Sequence, residues 1–515
     1  MAQIPPEVKW KAALGRDYTH GNDVRALIDG EEAFQAMYEA IETTKGGSHF
    51  IYLLAWWLDI GRPLLGDRAD TQLKVLFEKK AGAGVQIRVM VWGQPGKGLK
   101  AHDTPGQIKE IVDAGQSLDD YIAKLARDPD ALSKGDPRSH GAIVEWINTL
   151  PGAAAIVDWL TAHVLGSHHG KLLCVRGDKG LIATCGGVDV SSDRVKEVNP
   201  GKGEPLHDVH CVVRGSAAAD LVRVFVQRWD GHPDSKKLDD KKGRFLGRDV
   251  PSEDKKDAPG QVVRVATTYN AVQVGARPED PLGINPSACK MERSTREALL
   301  GAIKSAERFI YLEDQYLVSI TIADCLREAL PHLQHVTALV TASPISDLPQ
   351  VWRRRQLFIE RVDPLGMQFH VYYLWDPRTR SFGHHTYVHS KMWIFDDEIA
   401  YIGSANVNNR GLSSDSEVGV LVTDREWSAK PPYGFAHALR MRLWHEHLGI
   451  DIVNAVEQRD KWDKPLPASR VLPYNRNKGK DPQRDFLIRW DLIDPDMEGL
   501  PECKYRKQPK RLRQL

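Results

Sequence analysis

His389–Asn406 reads HSKMWIFDDEIAYIGSAN, and His169–Asp189 reads HGKLLCVRGDKGLIATCGGVD. Both open on a His-x-Lys triplet, run through apolar residues, turn, and return through a second apolar run that ends in small residues. Aligned on these triplets, the chain repeats itself on either side. HFIYLLAWWLD (His49–Asp59) answers RFIYLEDQYL (Arg308–Leu317), and each follows a helical stretch, EEAFQAMYEAIETT or STREALLGAIKSA. LKVLFEKKAGAGVQIRVMVW answers ADCLREALPHLQHVTALVT. Beyond the triplets, HDVHCVV answers DSEVGVLV, and LVRVFVQRWD answers HALRMRLWHEHLG. Five matches in one order indicate a duplication.

Strands alternating with helices at this rhythm predict an α/β fold. The expected form is two pseudo-symmetric lobes, each a mixed, mostly parallel β-sheet flanked by helices, with the active site at the lobe interface. A chain of 515 residues also exceeds one ordinary core. The expected divisions are an N-terminal lobe over 1–230, a charged linker over 231–262, a C-terminal lobe over 263–450 and an extension over 451–515. An insertion near 93–162 has helical character in SLDDYIAKLARD and GAIVEWINTL, and either shapes a pocket or decorates the surface. The linker, rich in Lys, Asp, Gly and Pro, reads as exposed. The terminal run KYRKQPKRLRQL reads as a solvated tail, with binding to an anionic surface as the sharper alternative.

Composition excludes several classes. Hydrophobic residues make up 42% and charged residues 27%, ordinary for a globular chain. A net charge of +1 supplies no global attraction to nucleic acid, so a nucleic-acid partner is not expected. Six widely spaced cysteines lack zinc-ligand spacing and read as buried thiols of a reducing compartment. The first residues carry no secretory pattern, and no run reaches the ~18 apolar residues of a membrane span. The expectation is a cytoplasmic protein, or one exported without a signal peptide.

In a strand, residues two apart share a face. His169 with Lys171, and His389 with Lys391, therefore each aim an imidazole and an ammonium into one space. Pseudo-symmetry would unite both pairs around one point. Such a set suits phosphodiester cleavage: lysines hold non-bridging oxygens, one neutral histidine attacks phosphorus, and the other serves the leaving group and then water.

These segments resemble the HxKxxxxD motif of the phospholipase D superfamily, closest to its phospholipid-cleaving branch. HHGK, GGVD, HDVHC, FVQRW and YLEDQYL carry the resemblance together with the GSxN segment, and it covers most of 21–449. The chain also resembles bacterial phospholipase D effectors that leave through contractile secretion machines. The resemblance implies a phospholipase D, possessing no cofactor or metal, that meets its phospholipid substrate peripherally at a membrane surface and could pass the phosphatidyl group to another alcohol. It implies His169 as nucleophile, His389 as general acid and base, and Lys171 and Lys391 as phosphate holders. Glu417 would orient His169 and Asp208 would orient His389, each from the opposite lobe. Asn406, Ser404, Gly187 and Asp189 would line the phosphate pocket. Asp396, by strand parity, points away from His389 and reads as structural.

One departure stands out. Where the second copy has Asp396, the first has Arg176, with Asp178 the nearest carboxylate. The first site is read as altered at its RGDKG turn and still competent. Alternatives are a nuclease or other phosphodiesterase of the same superfamily and, from another class, a catalytically inactive phospholipid-binding module, which Arg176 favours. His168 reads as a support behind His169, His384 and His385 as rim or idle loop residues, and Trp56, Trp57 and Trp393 as core or pocket wall.

Overall fold

The computed structural model describes residues 5–93, 140–158, 167–191, 194, 206–251, 254–256, 258–271, 290–342, 351–376, 385–425, 431–464, 466–474 and 494. Its first half contributes β1 (Tyr18–Ile28), β2 (Phe50–Ala55), β3 (Gln86–Trp92), β4 (Ala153–Asp158), β5 (Leu172–Gly177), β6 (Gly180–Gly186) and β7 (Val209–Arg214). The second half contributes β8 (Gln261–Ala271), β9 (Phe309–Asp314), β10 (His335–Val340), β11 (Phe369–Leu374), β12 (Lys391–Phe395), β13 (Ile399–Gly403) and β14 (Glu417–Asp424). Spatial order in the first half is β4-β3-β2-β5-β6-β7-β1, and in the second β11-β10-β9-β12-β13-β14-β8. The two orders are the same. Antiparallel pairing of β1 with β8 joins them, and with the short strands Lys290–Arg293 beside β8 and Val471–Pro473 beside β11 the described residues form one sixteen-stranded sheet.

The fold class is the expected mixed α/β, but the balance of pairings differs. Only β2-β3-β4 and β9-β10-β11 run parallel; every other neighbour in the two series is antiparallel. The turns joining β5 to β6 and β12 to β13 span only a few residues, which permits a hairpin and forbids a parallel crossover.

Helices cover both faces. Among the described residues those of ten residues or more are α1 (Asp29–Glu42), α2 (Leu73–Gly82), α3 (His140–Thr149), α4 (Ser216–Gly231), α5 (Ser294–Ser305), α6 (Ile320–Ala329), α7 (Val351–Val362) and α8 (Phe435–Leu448). Strands buried on both sides read as unbroken apolar runs, as FIYLLA does. Alternation sorts them: Leu172, Cys174, Met392 and Ile394 face a central core shared by both halves, with Phe225 and Trp229 of α4 and Leu443 and Trp444 of α8. Leu173 and Val175 face a separate outer core beneath α1 and α2, while Trp393 and Phe395 face another beneath α5 and α6. Among the described residues no helix is long and apolar enough to cross a membrane. Cys174, Cys185, Cys211 and Cys325 are buried free thiols.

Two sequence expectations need correction. The segment after α4 is not an exposed linker. It forms a helix at Ser235–Lys242, and Phe245 is fully buried, 4.9 Å from the Tyr52 ring and 5.8 Å from Trp229. Asp239 accepts from Trp229 Nε1 and pairs with the buried Arg88. A single aromatic thus pins a stretch whose composition is otherwise hydrophilic. The insertion is also shorter than expected, because 140–158 supplies α3 and the integral strand β4. The expected SLDDYIAKLARD helix and the basic tail lie outside the described residues.

Candidate active site

Both His-x-Lys triplets sit where the two halves cross. Leu206–His207 pairs in parallel with Tyr387–Val388, and His389 N donates to His207 O at 2.7 Å. Symmetrically, His168 bridges Ser416, and the amides of His169 and Gly170 donate to Ser416 O at 2.9 and 2.8 Å. Each histidine therefore enters its strand beside the carboxylate strand of the other half. His389 Nδ1 donates to Asp208 Oδ2 at 2.7 Å. His169 Nδ1 lies 3.0 Å from both Glu417 Oε1 and Ser404 O. In both rings a hydrogen bond at Nδ1 fixes the tautomer with Nε2 free.

The registers align the halves residue by residue. Gly186 pairs with His210, and Gly403 with Gly419. Gly187 therefore matches Ser404, Asp189 matches Asn406, and Asp208 matches Glu417. A Cβ at Gly187 would fall 2.0 Å from Asp208 Oδ1, while the Ser404 hydroxyl donates to Glu417. These small residues serve the carboxylates, which corrects their expected place on the phosphate pocket wall. Asp189 needs the same correction. Its Oδ1 accepts the amides of Trp56 and Trp57 at 3.0 and 3.1 Å, and its Oδ2 stands 3.2 Å from Lys171 Nζ. An anion facing an anionic diester would repel it; holding the lysine is the role its contacts show. Asn406 is nearly buried, and its Oδ1 has no hydrogen-bond partner among the described residues.

The lysines are tethered from behind. Lys171 Nζ donates to His169 O at 2.7 Å and lies 5.5 Å over the Trp56 ring. Lys391 Nζ donates to His389 O and to Gln315 Oε1, the latter at 3.2 Å. Trp56 also meets the His169 ring edge-on at 5.9 Å, making it pocket wall, whereas Trp393 is core. Trp57 is 37% exposed and packs on His140. His168 supports its neighbour through Ser416 Oγ at 2.8 Å and Asp158 at 3.0 Å. His385 packs edge-on against Tyr373, and His384 lies outside the described residues.

Asp396 is fully buried and faces away from the imidazoles. Its carboxylate accepts the amides of Glu307, Arg308 and Phe309 at 2.8, 2.8 and 2.9 Å, closing the entry into β9. Arg176 in the other half lies 5.2 Å over the Phe50 ring. There the approach to β2 closes on itself, with Lys45 N donating to His49 Nδ1 and His49 N to Gly46 O. Asp178 pairs with Lys45 and His49. Arg176 therefore lies outside the chemistry.

Burial, with Lys171 and Lys391 adding to it, holds His169 well below the ordinary imidazole range. Burial, then Lys391, Arg194 and Lys171, do the same to His389. Each imidazole thus responds to both lysines. Burial drives Lys391 down to about 7, with Asp208 opposing and Lys171 adding to the fall. Burial raises Asp208 to about 6 against the pull of Lys391 and Arg194. Burial and then Asp415 push Glu417 well above the carboxylate range, against Lys171 and Ser404.

Behind His389 lies a buried polar chain. His207 Nδ1 meets Asp29 Oδ1 at 2.9 Å and its Nε2 meets Glu313 Oε2 at 2.9 Å. Glu313 Oε1 accepts from Tyr311 at 2.6 Å and faces His447 Nε2 at 3.0 Å. His207, Glu313 and His447 are also spaced closely enough to resemble a metal site, as are Asp29, His207 and Glu446. Hydrogen bonds already link His207 to Asp29 and Glu313, and Glu313 to His447, so these residues form a hydrogen-bonded chain. Sequence reading missed Arg194, Gln315 and this whole chain. The available signal was Glu313, which with Asp314 puts two acids in a buried strand run whose first-half counterpart, FIYLLA, has none.

A family model described as Phospholipase D matches residues 168–339, and one described as Cardiolipin synthase, PLD-like domain, matches 299–437. Phospholipase D alpha 1 of Cynara cardunculus is 24% identical over 84% of this chain and 67% of its own length. Phospholipase D1 of Saccharomyces cerevisiae is 27% identical over 94% of this chain and 32% of its own. This chain thus spans between about a third and two thirds of those two relatives. The crystal structure of phosphatidylserine synthase from Haemophilus influenzae superimposes with a TM-score of 0.52 at 11% identity, covering 98% of this chain and 97% of that one. That likeness concerns the fold.

Proposed function

This chain belongs to the phospholipase D superfamily, and we propose that it hydrolyses the headgroup phosphodiester of glycerophospholipids to phosphatidate and free alcohol. The observation that carries this reading is the crossed pairing of His169 with Glu417 and His389 with Asp208 beside two buried lysines. The named relatives are phospholipases D, and they supply the lipid in the proposal.

The diester's non-bridging oxygens settle between Lys171 and Lys391, with Asn406 beside them. Its negative charge offsets the cations that depress His389, so His389 can carry a proton once substrate is bound. His169 Nε2 attacks phosphorus, a P–N bond forms, and the bond to the headgroup oxygen breaks as His389 gives that oxygen its proton. Positive charge then resides on the His169 ring, whose Nδ1 proton is shared with Glu417. Water next gives a proton to His389 and its oxygen attacks phosphorus. The P–N bond breaks, phosphatidate leaves, and both histidines return to their starting states. An alcohol in place of water would transfer the phosphatidyl group.

The test is to offer labelled phosphatidylcholine, phosphatidylethanolamine and single-stranded DNA side by side, with acid-quenched trapping of the phosphoenzyme. Release of headgroup with label on His169 is expected. Cleavage of DNA alone would overturn the lipid reading. Binding of lipid without any phosphoenzyme or turnover would favour an inactive binding module.

A further inference from the structure

We propose that the buried chain Asp29–His207–Glu313–His447 positions Asp208 and thereby makes His389, not His169, the proton carrier of the pair. This rests on the phosphodiesterase reading above. The chain is attached to the His389 side by main chain and side chain alike. His207 O accepts the His389 amide, Asp208 N donates to Asp29 Oδ1 at 3.1 Å, and Asp29 N donates to Asp208 O at 2.8 Å. Asp29 holds φ at +62°, a conformation that costs a non-glycine residue and persists only where its surroundings demand it.

The equivalent side is built differently: Ser416 Oγ meets His168, which pairs with Asp158 and through it with Arg228. Strand registers place Ser416 opposite to His207, Leu54 in the position of Glu313, and Thr268 in that of Asp29. Two carboxylates and an imidazole are thus replaced by two hydroxyls and a methyl-bearing side chain. The two halves thus place different chemistry at these three matching positions.

The groups facing His207 are Asp29, Glu313, Glu446 and His447, with Asp208 its chain neighbour. Burial works against charge on His207, but Glu313 and Asp29 outweigh it and hold the ring protonated. A fixed cation beside Asp208 favours its ionised form, which receives the imidazolium of His389. Glu417 has instead the acidic Asp415 nearby, which disfavours its ionisation. One histidine is thereby prepared to hold a proton and the other to remain a neutral nucleophile.

The experiment measures kcat and KM on two phosphatidyl esters, one with p-nitrophenol and one with choline as leaving group. The variants are His207→Gln and Glu313→Gln in the full chain. A p-nitrophenolate leaves without a proton, whereas choline needs one from His389. The ratio of kcat on the first to kcat on the second should rise by about tenfold or more in both variants, with KM nearly unchanged, because general-acid assistance is weakened. Loss of folded protein lowers both rates equally and cancels in this ratio. A rise of less than about fivefold in both variants overturns the proposal and leaves the chain a purely structural strut. Wild-type protein inert on both esters would instead sink the phosphodiesterase reading itself.

Discussion

Replacing Asp396 by alanine should unfold the second half long before it harms the chemistry. The carboxylate satisfies three backbone amides, of which only that of Phe309 is fully buried, and Lys9 stands 3.5 Å from it. A hydrogen bond to a charged acceptor contributes about 1.5–3 kcal/mol. With two of the three partly exposed, the lower end applies, giving about 4–5 kcal/mol. Asp396 also adopts φ +57°, where alanine is less comfortable than Asp or Asn, adding up to about 1 kcal/mol. The loss approaches the whole stability of an ordinary domain, about 5–15 kcal/mol. For a lobe of about 200 residues it should lower Tm by on the order of 10 °C or more. Asparagine keeps one acceptor oxygen and the backbone preference, so its effect should be about half. Scanning calorimetry gives Tm, and turnover per folded molecule at low temperature gives the chemistry. A Tm within about 3 °C of wild type refutes the reasoning. So does a folded alanine variant whose turnover falls a hundredfold, since Asp396 would then act on the reaction.

Three further outcomes are expected. His169→Ala should lose turnover by about four orders of magnitude or more while keeping its Tm, and His389→Ala should still form phosphoenzyme on a p-nitrophenyl ester; label accumulating on His389 would reverse the assignment. The pH profile of kcat/KM should be bell-shaped. Asp208, raised to about 6, must lose its proton to orient His389, so activity falls below that pH. Lys391, lowered to about 7, must keep its proton to bind phosphate, so activity falls above it; a flat profile from pH 5 to 9 contradicts both assignments. Phe245→Ala should cost about 3–5 kcal/mol by denaturant titration, the penalty of an emptied core site, whereas a linker residue would cost almost nothing.

The duplication was legible because each strand, buried on both faces, keeps its apolar run through divergence. The same runs hid the strand directions, which the short turns at Gly177–Gly180 and Asp396–Asp397 could have told. The crossed carboxylates came only from family likeness, since no spacing links Asp208 to His389. Asp189, Gly187 and Ser404 were misplaced because sequence gives proximity to a motif but not which atom a side chain meets. Composition misled at 231–262, where averaging over lysines and aspartates concealed Phe245. The His207 chain draws on four separate elements, and only Glu313 betrays itself as an acid in a buried strand.

Since each imidazole leans on a carboxylate from across the seam, neither half contains a working dyad of its own. A one-lobed forebear built on this plan would have been active only as a pair, and joining the copies in one chain made that pairing permanent. Fusion also released the copies from having to match. Serine could stand for histidine on one side and glycine for serine on the other, and a division of labour unavailable to two identical subunits became possible.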